Sequence, residues 1–234
     1  KRSTHRKGAI FMSQIINTLT NAISHINTLM ELDSDPPTSG DEDYTVWMNL
    51  LNIAINLWEK EEGVLWKELF VDLTDAATGD KTTGAADYSY TLPTDFKFPN
   101  SAYVWLGTGV QKVALKVINI ADKQLYENNS DKWCYFTKST LRINPNITIE
   151  AGSTISYSYY KWASALTTGT DTFEMSDPMF AVYYTVAQLS REEGNAEYLN
   201  ISTQKLEGMK TQNESTALHQ ENSTISPVGE GFGY

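Results

Sequence analysis

The sequence predicts an α+β protein in which a helical bundle carries an inserted antiparallel β domain, a small sandwich or barrel, followed by an extended C-terminal tail. Apolar residues recur at steps of three and four near both ends of the chain, which is the period of helices. In the middle of the chain, apolar and polar residues alternate, which is the period of half-buried strands. We expect the bundle to comprise residues 1–63 and 173–210, the β domain residues 64–172, and the tail residues 211–234.

The first predicted helix covers residues 10–32, and His25 lies next to its apolar stripe. A lone histidine there is expected to be packed or solvated rather than to bind a metal. The acidic loop at residues 33–43 lacks the spacing of an EF-hand, so we expect Asp41 or Asp43 to cap the next helix. The stripe itself consists of Phe11, Ile15, Ile16, Leu19, Ile23, Ile26 and Leu29 or Met30.

The second predicted helix covers residues 44–62 and ends before Gly63, a residue that commonly stops helices. Its apolar positions come partly in adjacent pairs and comprise Val46, Trp47, Leu50, Leu51, Ala54, Leu57 and Trp58.

A third helix begins at Asp177 and Pro178, residue types that suit the N-cap and first helical position. We expect Trp58 and Leu189 to be buried where the second and third helices pack together. A further helix is predicted over residues 198–209, after Gly194.

The predicted β domain is built from three alternating runs and several shorter strands. Strands are also expected at residues 133–136 and 141–143, and residues 125–131 are expected to form a polar hairpin tip. The apolar members of the three runs are Tyr88, Tyr90 and Leu92; Val113, Leu115 and Val117; and Ile155, Tyr157 and Tyr159.

The charge distribution is uneven, because a basic arm precedes an acidic chain. The net charge is -11, and the first seven residues carry +4, so the remaining 227 carry -15. An acidic protein is not expected to bind nucleic acid or an anionic membrane, because affinity for phosphate groups comes from Lys and Arg. The arm itself is expected to touch an anionic partner through Lys1, Arg2, Arg6 and Lys7.

No catalytic or metal-binding constellation is present in the sequence. The three histidines stand at positions 5, 25 and 219, and the single cysteine, Cys134, lies in a predicted strand as a small apolar residue. Glycine-rich nucleotide loops and zinc spacings are absent. We therefore expect no enzyme activity and no cofactor. No apolar run reaches the length of a membrane span, and polar residues within 10–32 exclude a signal peptide there.

Three short motifs stand in the predicted β domain and at the start of the helix that follows it. The β domain opens with Tyr88-x-Tyr-x-Leu-Pro-x-Asp-Phe96, a later strand has Ile155-x-Tyr-x-Tyr-Tyr160, and a helix starts at Ser176-Asp-Pro. These motifs, in the order helix, helix, β insertion, helix and polar tail, resemble the head–tail adaptor (connector) proteins of tailed bacteriophages. The resemblance covers residues 44–209, and the basic N-terminal arm departs from the pattern.

The resemblance implies a structural virion protein at the head–tail junction, synthesised in the host cytoplasm. Such a protein forms a ring, usually of twelve copies, that binds the portal protein on one side and nozzle or tail-completion proteins on the other. DNA passes through its lumen during genome ejection without sequence-specific binding. The alternative from another class is a carbohydrate-binding or other tail-associated attachment protein, in which exposed aromatic rings of the β domain stack on sugars.

The C-terminal tail is expected to be the partner-binding element. It is too polar to fold alone, yet it ends with apolar and aromatic residues separated by glycines, a composition suited to an extended peptide in a groove. We predict that it becomes ordered on the portal or a neighbouring subunit. The predicted contact residues are Ile225, Pro227, Val228, Phe232 and Tyr234.

Overall fold

The structure is a computed structural model, and it describes residues 16–32, 34–73, 81–82, 88–108, 111–127, 131–190 and 192–223. The predicted α+β class is confirmed. The chain divides into a helical unit, residues 1–64 and 164–234, and a β unit, residues 65–163. The helices within the described residues are α1 (Leu19–Leu29), α2 (Glu42–Glu59), α3 (Lys123–Tyr126), α4 (Met179–Leu189) and α5 (Glu192–Ser223).

Helix α4 occupies the centre of the helical unit, where it packs against α1, α2 and α5. Each of these helices buries one apolar face, so the contacts remove a continuous apolar surface from water. The predicted burial of Trp58 is confirmed, since only 1% of that residue is exposed. The predicted burial of Leu189 is wrong, because this last residue of α4 is half-buried. Fully buried members of the core include Leu19, Ile23, Ile26, Leu51, Val182 and Val186.

Helix α1 begins at Leu19, nine residues after the predicted start at residue 10. Residues 10–15 lie outside the described part of the chain, and Ile16 and Asn17 precede the helix. Thr18 is the N-cap, with extended backbone, and its hydroxyl accepts a hydrogen bond from the Asn21 N–H at 3.3 Å. The apolar period alone extended the predicted helix past this cap.

A distant loop supplies the remaining acceptors at the start of α1. The Leu19 N–H donates to the Asp171 carbonyl at 2.9 Å, and the Thr20 N–H donates to the Gly169 carbonyl at 3.1 Å. The first N–H groups of a helix have no partner within it, so these bonds complete the terminus. A Cβ atom on Gly169 would lie 2.5 Å from the Thr20 hydroxyl oxygen, which explains glycine at this close approach.

The predicted caps of the other helices are partly confirmed. Asp41 is the N-cap residue of α2, but its carboxylate accepts from the Thr38 N–H at 2.7 Å instead of from the helix. This hydrogen bond lowers the pKa of the Asp41 carboxyl. At α4 the N-cap residue is Pro178, one residue later than predicted, and the Asp177 carboxylate accepts from the Met179 N–H at 3.1 Å. Helix α2 ends at Glu59, three residues earlier than predicted.

Helix α5 continues to Ser223, so residues 211–223 are helical where an extended tail was predicted. The segment is polar, but glutamine, glutamate, alanine and leucine within it favour helix. Extending an existing helix costs far less than starting one, and α5 is anchored earlier by Met209, which is buried. Lys210 adds ion pairs of 2.9 Å to Glu61 and 3.0 Å to Glu207. Polarity therefore did not end this helix.

The β unit contains two sheets within the described residues. The smaller has the strand order β1–β10–β4, and the larger, which curls into a half-barrel, has the order β2–β9–β5–β6–β7–β8–β3. The strands are β1 (Phe70–Asp72), β2 (Lys81–Thr82), β3 (Ser89–Thr91), β4 (Phe96–Pro99), β5 (Tyr103–Thr108), β6 (Gln111–Val117), β7 (Trp133–Phe136), β8 (Thr140–Ile143), β9 (Thr154–Ser156) and β10 (Ser158–Lys161).

The larger sheet is mixed, which corrects the predicted purely antiparallel domain. Strands β6 and β7 pair in parallel, with Lys116 opposite Trp133 and Val117 opposite Cys134. Parallel neighbours need a crossover rather than a hairpin, and the connection here contains α3. Residues 123–126 are thus helical, partly within the stretch predicted as a hairpin tip. The Trp133 indole N–H donates to the Tyr126 carbonyl at 3.2 Å and ties α3 to β7.

The predicted alternation is confirmed in part, and the predicted closing strand divides between the two sheets. Ile155 in β9 of the larger sheet, Tyr157 between the strands and Tyr159 in β10 of the smaller sheet are buried as expected. Leu115 and Leu92 join them in one core, whereas Val113 is exposed. Each strand sends every second side chain into this core because the strand period is two. The opposite side chains form an outer face, described below.

Within the described residues, no helix combines the length and the apolar character needed to cross a membrane.

Candidate functional site

The residues predicted from the sequence to bind partners lie outside the described part of the chain. Ile225, Pro227, Val228, Phe232 and Tyr234 follow the last described residue, Ser223. Lys1, Arg2, Arg6 and Lys7 precede the first, Ile16. The predictions made for these residues therefore stay predictions, and the described residues offer two other exposed surfaces.

The first surface is an apolar stripe along α2, formed by Val46, Leu50, Ile53 and Leu57, which we call the α2 stripe. Val46 is 42% exposed, and Ile53 and Leu57 are each 46% exposed, whereas Leu50 is half-buried. The steps of four, three and four place all four side chains on one face of the helix.

The opposite face of α2 forms part of the core of the helical unit. Tyr44, Trp47, Leu51, Ala54 and Trp58 are buried there. Helix α2 is consequently apolar on two faces, of which the core covers only one. A helix that is apolar all round belongs inside a larger protein or an assembly, and adjoining exposed apolar side chains mark interaction sites. The geometry therefore identifies the α2 stripe as a candidate interface.

The second surface is the outer face of the larger sheet. Strand register places Tyr103 and Lys116 side by side on β5 and β6, and Trp105 lies two residues along β5 from Tyr103. Trp133 continues the same row on β7, but it is buried. Tyr103 is 48% exposed and Trp105 is 42% exposed. Aromatic rings that are partly in water are typical of interfaces.

The outer face is basic as well as aromatic. Strand register places Lys112, Lys116 and Arg142 on this face, and the seven strands of the larger sheet contain no acidic residue. The Lys112 ammonium group donates to the Ser156 hydroxyl at 2.6 Å. The Lys116 ammonium group lies 6.0 Å from the centre of the Tyr126 ring. Cations beside exposed rings favour contact with an anionic or acidic surface.

The two units differ in charge. The β unit has ten basic and ten acidic residues and is neutral, whereas the helical unit has eight basic and nineteen acidic residues and carries -11. The outer face of the sheet and the helical unit are thus complementary in charge between two copies of the chain. Such complementarity favours association and fixes which surfaces meet.

The β unit also contains a groove of about 570 Å³. Its lining combines apolar side chains such as Val113 and Ile147 with the polar Lys132, Asn146 and Glu150. This mixture suits a small polar ligand, since apolar walls supply contact and a few polar groups set orientation.

Two buried tyrosines of the β unit remain protonated at neutral pH. Burial, reinforced by Asp95, raises the pKa of Tyr157 to about 12. Burial and a hydrogen bond of 3.1 Å from the Tyr159 hydroxyl to the Asp95 carboxylate raise the pKa of Tyr159 further. In the helical unit, burial lowers the pKa of His25. Among the described residues, no group of three or more His, Cys, Asp or Glu side chains could hold a metal ion.

Cys134 belongs to β7 and its side chain lies in the core of the β unit, where burial raises the pKa of the thiol to about 12. We expect this thiol to resist iodoacetamide in the folded protein at mildly alkaline pH, because alkylation requires the thiolate. Mass spectrometry should show no adduct on the native chain and one adduct after denaturation. Labelling of the native chain as fast as that of the denatured chain would contradict the buried position.

Comparison with protein-family models gives no match for this sequence. Comparison with curated proteins gives no match either.

Proposed function

We propose that the chain is a subunit of a head–tail adaptor ring in a tailed bacteriophage, joining the portal to the tail and forming part of the DNA conduit. The observation that carries the proposal is the pair of unlike exposed surfaces on different units. The α2 stripe lies on the acidic helical unit, and Tyr103 and Trp105 lie on a basic sheet face. A ring subunit needs two different surfaces, because a head-to-tail contact repeats by rotation until the ring closes.

The order of the elements supports the same proposal. Two helices, a β unit and a helix follow one another in the order of the adaptor pattern, and the long helix α5 stands where that pattern has a polar tail. The motif Leu92-Pro93-Thr94-Asp95-Phe96 connects β3 to β4, and Asp95 there accepts the Tyr159 hydroxyl group. The motif thus joins the two sheets at a fixed point, which gives its residues a structural role.

The negative charge of the helical unit supports a conduit through which DNA passes without being retained. The helical unit carries -11, and like charges repel phosphate. DNA would pass an acidic lumen without being held. The basic arm of Lys1, Arg2, Arg6 and Lys7 and the C-terminal segment 224–234 are proposed to reach the neighbours of the ring, namely the portal, the tail proteins or an adjacent subunit. In this proposal the chain acts in the virion as a structural protein, without enzyme activity.

The proposal is tested by mixing the purified chain with the portal protein of the same virus. We expect sedimentation to show small or heterogeneous species for the chain alone and a ring of defined mass on the portal, usually twelve copies. Negative-stain micrographs should show that ring. A chain truncated after Ser223 should fold but join portal-bearing heads poorly. Unchanged sedimentation of both proteins on mixing would contradict the proposal.

The alternative is a carbohydrate-binding or other tail-associated attachment protein. Tyr103 and Trp105 favour it, because exposed rings can stack on sugars, and the groove lined by Asn146 and Glu150 lies in the same unit. Glycan-array binding by the wild type that is lost in Trp105→Ala, together with indifference to the portal protein, would support this alternative over the adaptor.

A further inference from the structure

The α2 stripe has polar ends of opposite charge. Asp43 lies three residues before Val46 in the first turn of α2, and Lys60 is the C-cap residue three residues after Leu57. Both side chains are exposed. The stripe with its two ends therefore runs Asp43, Val46, Leu50, Ile53, Leu57 and Lys60, at steps of three, four, three, four and three, which are the a and d positions of a heptad repeat.

This pattern is symmetric about the point between Leu51 and Asn52. If a second α2 lies antiparallel across the first with a two-fold axis at that point, Val46 meets Leu57 of the other copy. Leu50 likewise meets Ile53, and Asp43 meets Lys60. Every apolar position then faces an apolar position, and both charged positions face an opposite charge.

We propose that the α2 stripe docks a second copy of this chain through an antiparallel α2–α2 contact. A parallel arrangement would bring Asp43 beside Asp43 and Lys60 beside Lys60, and like charges at an interface disfavour that orientation. The antiparallel arrangement also places opposite ends of the two helix dipoles together. The contact is isologous, so it closes after two copies and leaves no stripe exposed.

The size of the contact sets its expected strength. A helix of 18 residues is about 27 Å long, so the contact provides four apolar layers with a charge pair at each end. An interface of this kind falls below about 1,200 Å² of buried surface, a size typical of weak and transient pairs. The proposal concerns the free subunit and does not depend on the adaptor function. In the adaptor ring the weak pair would dissociate, which frees the α2 stripe for its head-to-tail contact.

The oligomeric state of the full chain tests the proposal. We expect sedimentation between about 1 and 200 µM to show a monomer–dimer equilibrium, as befits a contact of this size. Ile53→Asp should raise the dissociation constant at least about tenfold, since it puts a charge at the centre of the interface. Leu199→Asp, on an α5 leucine that is 41% exposed, makes the same change off the stripe and should leave pairing unchanged.

Charge reversal separates the antiparallel contact from other uses of the stripe. Asp43→Lys and Lys60→Asp should each weaken pairing about threefold to tenfold, and the double variant should return to within about twofold of wild type. Truncation after Ser223 should leave the dimer intact, because the C-terminal segment is not its occupant.

Cross-linking reads the orientation directly. Oxidising an equal mixture of Val46→Cys and Leu57→Cys chains should give the mixed disulfide, because only the antiparallel contact brings these positions close enough. A wild type that remains monomeric throughout the range would overturn the proposal. So would a dimer that tolerates Ile53→Asp, one that is lost on truncation, one that the double charge reversal does not restore, or one in which position 46 cross-links only to itself.

Discussion

Replacing Leu51 with alanine is expected to lower the free energy of unfolding by about 2–5 kcal/mol, because the substitution deletes buried methyl groups and leaves a cavity. Leu51 is fully buried on the core face of α2, where α2 packs against α1 and α4. Urea unfolding followed by tryptophan fluorescence measures the change. The urea concentration at the unfolding midpoint should fall, while the slope of the unfolding free energy against urea concentration stays constant, as for a change in stability alone.

Leu57→Ala is the matched control on the same helix. Leu57 is 46% exposed and belongs to the α2 stripe, so in the monomer its truncation should change stability by no more than about 0.5 kcal/mol. The comparison should be made at a concentration low enough to exclude pairing. Equal losses for the two variants would show that α2 is buried on both faces, which contradicts the exposed stripe.

For helix α2, the periodicity of apolar residues predicts the helix but not which of its faces is buried. Its apolar residues come in adjacent pairs, with Val46 beside Trp47 and Leu57 beside Trp58. The period of 3.6 correctly predicted a helix here, but adjacent residues point in directions about 100° apart. The sequence therefore could not show which member of each pair enters the core. That choice depends on where α1 and α4 lie, which is tertiary information.

The strands could be predicted from the sequence where one face of the strand is buried and the other is exposed to solvent. Ile155 and Tyr159 alternate with polar residues, and their burial followed directly. Strand β5 was missed because its outward residues, Tyr103 and Trp105, are as apolar as its inward ones. The alternation that marks a half-buried strand is lost when the solvent side is aromatic. The feature that concealed β5 is thus the one that makes its outer face a candidate interface.

Contacts between residues far apart in the chain leave no local pattern in the sequence, so they could not be predicted from it. The sequence assigned residues 167–172 to the end of the β domain, with no sign of a contact with the first helix. In the structure this loop completes the N-terminus of α1, with Thr18 opposite Thr172 in an isolated bridge and Gly169 accepting from Thr20. Likewise, a polar composition predicted a tail after residue 210, whereas α5 continues because it is already anchored.

Asp171 holds the loop at residues 167–172 in place, and the Asp171→Asn substitution is expected to destabilise the protein in a pH-dependent way. The Asp171 carboxylate accepts hydrogen bonds from the Thr167 N–H at 2.6 Å, the Thr168 N–H at 2.8 Å and both threonine hydroxyls. These bonds hold the pKa of Asp171 well below its ordinary value of 3.8. An amide presents one oxygen and a donor nitrogen in place of two acceptors, so the variant cannot accept all four bonds.

The sign of the pH dependence follows from linkage. Because folding lowers the pKa, the carboxylate contributes stability that is fully present above pH 3.8 and is lost as the pH falls through the folded-state value. The wild type should therefore exceed Asp171→Asn in thermal stability at neutral pH, and the difference should shrink progressively below about pH 4. Melting curves by circular dichroism at several pH values measure it.

Asp35→Asn provides the control, because it makes the same change in charge at an exposed aspartate of the helical unit. It should leave the melting temperature close to that of the wild type at every pH. Amide hydrogen exchange should show a local effect as well. In Asp171→Asn the Leu19 and Thr20 amides lose protection, because the loop carbonyls that accept them are no longer held in place. A stability difference that stays constant down to acid pH, or that Asp35→Asn reproduces, would show that the Asp171 carboxylate does not fix the loop.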